Sequence, residues 1–91
     1  MKKAQFTEIH ELLEAGKPED ARAAFNHLAA ENTADYWLLK GKIEQKFQNW
    51  GNALNAFSRA LELDENNEEA RNNMHVIQNI LNFWNPEMFN P

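Results

Sequence analysis

The sequence contains no cysteine. Disulfides, thiolate metal sites and cysteine nucleophiles are excluded together, and the redox compartment is left open. Glycine and proline are scarce, three of each among 91 residues. That favours long regular elements over a loop-rich architecture. Basic residues are also few: nine Lys and Arg against fourteen Asp and Glu leave a formal net charge of -5. General nucleic-acid binding is disfavoured, because phosphate contacts need clustered Lys and Arg. No apolar run approaches the ~20 residues that span a bilayer. Glu8, His10, Glu11 and Glu14 interrupt the apolar region that Met1-Lys2-Lys3 would need to open a signal peptide. The expectation is a cytoplasmic protein with no membrane or nucleic-acid partner.

What is present suits one folded domain. Hydrophobic residues make up 43% of the chain and aromatic residues 11%, enough to build a modest core and unlike a disordered tail. The apolar residues recur at helical spacing. Phe6, Ile9, Leu12 and Leu13 define a first helix, ended by Gly16, which tolerates the left-handed conformation past a helix end. Pro18 opens a second helix, where its missing N–H costs little, with Ala21, Ala24, Phe25 and Leu28 on its apolar face. Thr33 is the expected N-cap of a third helix, which carries Tyr36, Trp37, Leu39 and Ile43 to about Phe47. Asn49-Trp50-Gly51 reads as a turn, followed by a fourth helix with Ala53, Leu54, Phe57, Ala60 and Leu61. Asn66 or Asn67 caps a fifth helix from about Glu68 to Trp84. The tail from Asn85 to Pro91 carries two prolines and is expected to be non-helical. No strand-like alternation occurs. Five helices with short turns predict antiparallel neighbours stacked in order.

An internal repeat organises this pattern. Between Ala34 and Asn67, Trp37, Gly41, Ala53, Phe57 and Ala60 follow one another at the spacing of a 34-residue helical-hairpin unit. This stretch resembles the tetratricopeptide repeat (TPR), and the ending Ala60-Leu61-Glu62-Leu63-Asp64 is similar to the family's second-helix ending. Lys40, Glu44 and Glu65 depart from it, standing where the family prefers Leu, Tyr and Pro. Leu39 and Ile43 are expected to supply the missing apolar contacts from one position earlier, and Trp50 falls where an aromatic often closes the turn. Gly16, Ala21, Phe25 and Leu28 match a first repeat whose spacing to the second is slightly short. The fold implied by the resemblance is all-α. It has two repeats, about residues 3–32 and 34–67, a capping helix at about 68–84 and a tail at 85–91, forming a right-handed α-solenoid fragment of five helices. The residues from Ile80 to Pro91 also resemble the tail of small stand-alone bacterial proteins with this repeat.

The chemistry of an enzyme is missing. His10, His27 and His75 are the only imidazoles, and none lies three or four residues from another, so no helical two-His metal motif exists. Thr7 and Ser58 lack a glycine elbow, and no phosphate-cradling glycine loop is present. No catalytic residue, metal or cofactor is expected.

The resemblance implies instead a non-catalytic adaptor that binds a protein or peptide in the concave groove of the first helix of each repeat. The matching positions are Lys3, Phe6, His10, Leu13 and Glu14, then Asp35, Leu38, Lys42, Gln45 and Lys46. On the capping helix they are Glu69, Asn72, Val76, Asn79 and Ile80. Phe6, Leu38 and Val76 are the expected apolar anchors. Lys42 and Lys46 form a positive spot suited to an acidic peptide. The carboxylate clamp of some family members is not carried over, because Phe6, His10 and Leu39 stand where it wants Lys and Asn.

The fifth helix carries more apolar surface than one packed face requires. Met74, Ile77, Leu81 and Trp84 form one stripe, and Val76, Ile80 and Phe83 another beside it. Either Pro86 turns the chain so that Met88 and Phe89 cover the second stripe, or a second molecule does, giving a homodimer or a partner interface; a self-associating structural scaffold that uses this helix and the tail is the alternative function.

Overall fold

The computed structural model describes residues 2–84, and among these there are five α-helices and no strand. They are α1 (Lys2–Glu14), α2 (Pro18–Asn26), α3 (Ala34–Lys46), α4 (Trp50–Leu63) and α5 (Glu68–Trp84). Consecutive helices pack on one another, and α1 also reaches α3.

The ends of the helices follow from local chemistry. After α1, Gly16 adopts φ +76°, and the Gly16 and Lys17 amides donate to the Leu13 and Leu12 carbonyls at 3.1 and 2.9 Å. This crossed pair satisfies two carbonyls that the helix end leaves open, as in the Schellman motif. Pro18 then starts α2. The Tyr36 amide donates to Thr33 Oγ1 at 3.2 Å, which caps α3. Asn67 does the same for α5, accepting from the Ala70 amide at 3.0 Å. After Asn26 the second helix tightens, with the His27 and Leu28 amides bonding back to Ala24 and Phe25. Leu28 thus lies just beyond α2 but still packs on the core.

One turn differs from expectation. Trp50 and Gly51 are not in it; they form the first turn of α4. The turn is made by Phe47, Gln48 and Asn49, with Gln48 at φ 61°. The Gln48 and Asn49 amides donate to the Gln45 and Glu44 carbonyls at 3.0 and 2.9 Å. This repeats the bonding after α1, with a glutamine where the earlier turn has glycine. The two left-handed residues, 16 and 48, stand 32 apart.

Two cores flank α3. Ile9, Leu13, Ala21, Phe25, Leu39 and Ile43 form the first, between α1, α2 and α3. Leu38, Ala53, Phe57, Ala60, Ala70 and Ile77 form the second, between α3, α4 and α5. Leu39 and Ile43 therefore do supply apolar contacts beside the polar positions Lys40 and Glu44. Leu38, expected as an exposed groove anchor, is only 7% exposed and belongs to the second core. The reason is geometric: successive helical residues are rotated by ~100°, so Leu38 and Leu39 face opposite sides of α3. Where α3 crosses α4, Gly41 lies against the ring of Phe57 so closely that a Cβ on Gly41 would sit 2.6 Å from Cε1. Among the described residues no polar or charged residue is fully buried, so the side chains that fill the two cores are apolar.

Candidate functional site

A groove of about 440 Å³ runs across one face of the protein, lined from four helices and a turn. Leu13 and Glu14 come from the end of α1, Lys42, Gln45 and Lys46 from α3, and Gln48 from the turn. Trp50 opens α4, and Glu69 and Asn73 come from the first half of α5. Leu13 is buried and forms an apolar patch of floor. The α3 residues sit three and four apart, so they share one helix face. Gln45, Gln48 and Asn73 each offer an amide that both donates and accepts, the pairing an extended peptide backbone needs.

Lys42 is already engaged. Its ammonium donates to Glu69 Oε2 at 2.6 Å and to His10 Nδ1 at 3.1 Å, joining α1, α3 and α5. An ammonium has no lone pair to offer, so Nδ1 of His10 must be the acceptor and its proton must sit on Nε2. The pKa of His10 is lowered, first because partial burial withdraws an imidazolium from water and second because of the Lys42 charge. Glu69, Glu14 and Asp35 act in the opposite direction. The positive spot expected at Lys42 and Lys46 is therefore reduced: Lys42 is neutralised locally by Glu69, while Lys46 is exposed and has no ion-pair partner among the described residues. Glu14 and Glu69 balance the two lysines in the groove lining.

The other expected groove residues are spread out. His10 touches the groove through Lys42, and Phe6 is half-buried against the first core. Asn72, Val76 and Asn79 do not line the groove; Asn73 does, one residue round the helix from Asn72. Gln48 and Trp50 line it as well, and the sequence pattern did not mark them as groove residues. Gln48 shares its left-handed backbone with Gly16, 32 residues before it, but Gly16 does not line the groove.

Two other surfaces stand out. Between α3 and α4, Trp37, Lys40, Glu44, Asn52, Asn55, Ala56 and Arg59 line a crevice of about 380 Å³. Lys40 and Glu44 place charged groups in its lining. Glu44 Oε1 accepts from Asn49 Nδ2 at 2.9 Å and pairs with Arg22 at 3.5 Å. Arg22 in turn lies 3.7 Å over the centre of the Phe47 ring. On α5, Val76 is 47% and Phe83 82% exposed, with Ile80 half-buried beside them. No Asp, Glu, Lys or Arg occurs from Asn72 to Phe83. The proposed covering residues Met88 and Phe89 lie outside the described residues.

Among the described residues no group of three or more His, Asp or Glu is placed to hold a metal ion. No described helix is long and apolar enough to cross a membrane. Among the described residues the arrangement is all-helical, with a polar-rimmed groove between α1, α3 and α5 and a stretch of α5 that lacks Asp, Glu, Lys and Arg and exposes Val76 and Phe83. Comparison with protein-family models, with curated proteins and with solved structures finds no match.

Proposed function

We propose that this chain is a small adaptor of tetratricopeptide-repeat type that holds an extended segment of another protein in the α1–α3–α5 groove and catalyses nothing. The groove itself carries the reading: an apolar floor at Leu13, an aromatic edge at Trp50, three amides and a free ammonium at Lys46 converge from separate helices. That combination suits a peptide with an apolar side chain, an extended backbone and a nearby carboxylate. The repeat assignment is supported by the two helical hairpins with matching turns. The close fit of Gly41 on Phe57 and the full burial of Ala53, Phe57 and Ala60 support it too. In this reading α5 caps a short right-handed solenoid, and the protein works in the cytoplasm.

A random peptide library displayed against the full chain tests the proposal. Selected peptides should shift the backbone amide resonances of Gln45, Lys46, Gln48 and Asn73, and Lys46→Glu should weaken acidic peptides most. Selection of no peptide, or shifts confined to other faces, would sink it.

A second reading is favoured by the uncharged stretch of α5. Interface centres are depleted in charge, and two copies of a chain with net charge -5 approach most easily through an uncharged face. Sedimentation of the wild type and of Val76→Lys distinguishes the readings. A dimer lost in the variant supports self-association, and a monomer at all concentrations removes it.

A further inference from the structure

The groove contains a polar link that no peptide-binding role by itself requires. His10 of α1, Lys42 of α3 and Glu69 of α5 form a chain of two hydrogen bonds, of which Lys42 and Glu69 belong to the groove lining and His10 adjoins it through Lys42. We propose that this link is a proton-controlled latch, in which protonation of His10 breaks its bond to Lys42 and turns the groove from charge-balanced to net positive, favouring acidic peptides. The inference rests on the groove reading above and specifies its regulation.

The geometry supplies two alternative partners for the same imidazole. In the neutral form, Nδ1 accepts from the Lys42 ammonium at 3.1 Å. An imidazolium has donors on both nitrogens and no acceptor, so the proton that binds Nδ1 removes the site Lys42 was using. The contact then sets two cations side by side. His10 has another partner within reach on its own helix: Glu14 stands four residues on, the spacing at which helical side chains meet. Lys42 keeps Glu69, so neither charge is stranded. The switch exchanges an inter-helix bond for an intra-helix one.

The charges acting on His10 come from each side. Lys42 and Asp35 belong to α3, Glu69 to α5 and Glu14 to α1 itself. Lys42 and partial burial oppose protonation, while the three carboxylates favour it. Because burial and Lys42 prevail, the latch stays closed at neutral pH and opens on the acid side of the ordinary histidine value. The consequence for the groove follows from its lining. Glu14 and Glu69 balance Lys42 and Lys46, so one added proton leaves a net positive charge. Salt bridging through His10 also draws Glu14 away from a ligand. The preference that results is for peptides with carboxylates, which stay ionised at about pH 5.

Two measurements on the full chain test this. The first needs no ligand: a pH titration of the imidazole by NMR, with long-range proton–nitrogen couplings to assign the tautomer. The expected result is the Nε2–H tautomer at neutral pH and a midpoint below the ordinary ~6.5. The resonances of Glu14, Lys42 and Glu69 should move at the same midpoint, and Lys42→Met should raise it. An Nδ1–H tautomer, or a midpoint unchanged by Lys42→Met, would overturn the latch while leaving the groove reading untouched. The second uses an acidic peptide selected from the library, titrated at about pH 7.5 and about pH 5. One added charge at an open site should raise affinity by about two- to fivefold in the wild type and leave His10→Gln unchanged. Equal pH dependence in both proteins would overturn the link between latch and ligand. Failure of every selected peptide to perturb the groove would instead refute the groove reading.

Discussion

Replacing Gly41 by alanine should destabilise the protein, although the same change in most helix interiors does the reverse. Alanine gains about 1 kcal/mol over glycine in helix propensity. Against that stands the Phe57 ring. A Cβ at residue 41 would lie 2.6, 2.7 and 2.9 Å from three of its carbons, well inside the ~3.5–4.0 Å of a comfortable carbon contact. The ring is fully buried in the second core and has no exposed side to swing toward. Overpacking of this kind costs about 1–3 kcal/mol, and the buried position of the ring places it near the upper end. The net expectation is a loss of about 1–2 kcal/mol, or roughly 4–16 °C in melting temperature for a chain of this size. Gly51→Ala is the internal control. Gly51 is helical, has an ordinary backbone and would offer its Cβ open space, so this variant should gain up to about 1 kcal/mol. Thermal and urea unfolding followed by circular dichroism measure both. A shared partner adds a second check: Gly41→Ala and Phe57→Leu should couple by about 0.5 kcal/mol or more, the smaller side chain relieving the clash. If Gly41→Ala proves as stable as the wild type, the close crossing of α3 and α4 is wrong.

Three further outcomes are expected. Gln48→Gly should stabilise the protein by about 0.5–1 kcal/mol, because a left-handed residue with a Cβ carries strain that glycine lacks; urea unfolding reads the gain. Thr33→Ala removes the oxygen that accepts from the Tyr36 amide and should cost about 1 kcal/mol in the same assay. The pH dependence of stability should carry the signature of His10. Its folded pKa lies below the unfolded value, so its contribution is fully present above about pH 6.5. It is lost as pH falls toward and through the folded value, because the unfolded chain binds the proton first. Denaturant midpoints measured across this range should slope upward with pH in the wild type and more weakly in His10→Gln.

Much of the helical layout was legible because its signals are local. Gly16 and Pro18 mark one turn, and Thr33 and Asn67 mark two caps, each by its own chemistry. The turn between α3 and α4 was placed two residues late for the same reason. Gly51 advertised a turn that it does not make, while Gln48, which does adopt the left-handed angle, carries no such mark. Of the positions the resemblance implied, Leu13, Lys42, Gln45 and Lys46 are among those that line the groove. Asn73 rather than Asn72 faces it because the burial of Ala70 and Ile77 against α4 fixes the rotation of α5, and no local signal sets that phase. The engagement of Lys42 by His10 and Glu69 joins residues 32 and 27 positions apart in sequence. Only the folded arrangement brings them together.

The separation of the interior into two cores has a consequence for how motion would spread through the molecule. Extensive helix contacts connect α1 and α2 to α3, and α3 and α4 to their successors, but none joins α1 or α2 directly to α4 or α5. The first hairpin could therefore open without forcing the second core apart, as in chains whose units hold mainly their neighbours. Only α3 belongs to both parts. A peptide lying across α1, α3 and α5 would add a bond between ends that are otherwise joined mainly through that helix. Occupancy would then show itself less as a change of shape than as a merging of two unfolding units into one.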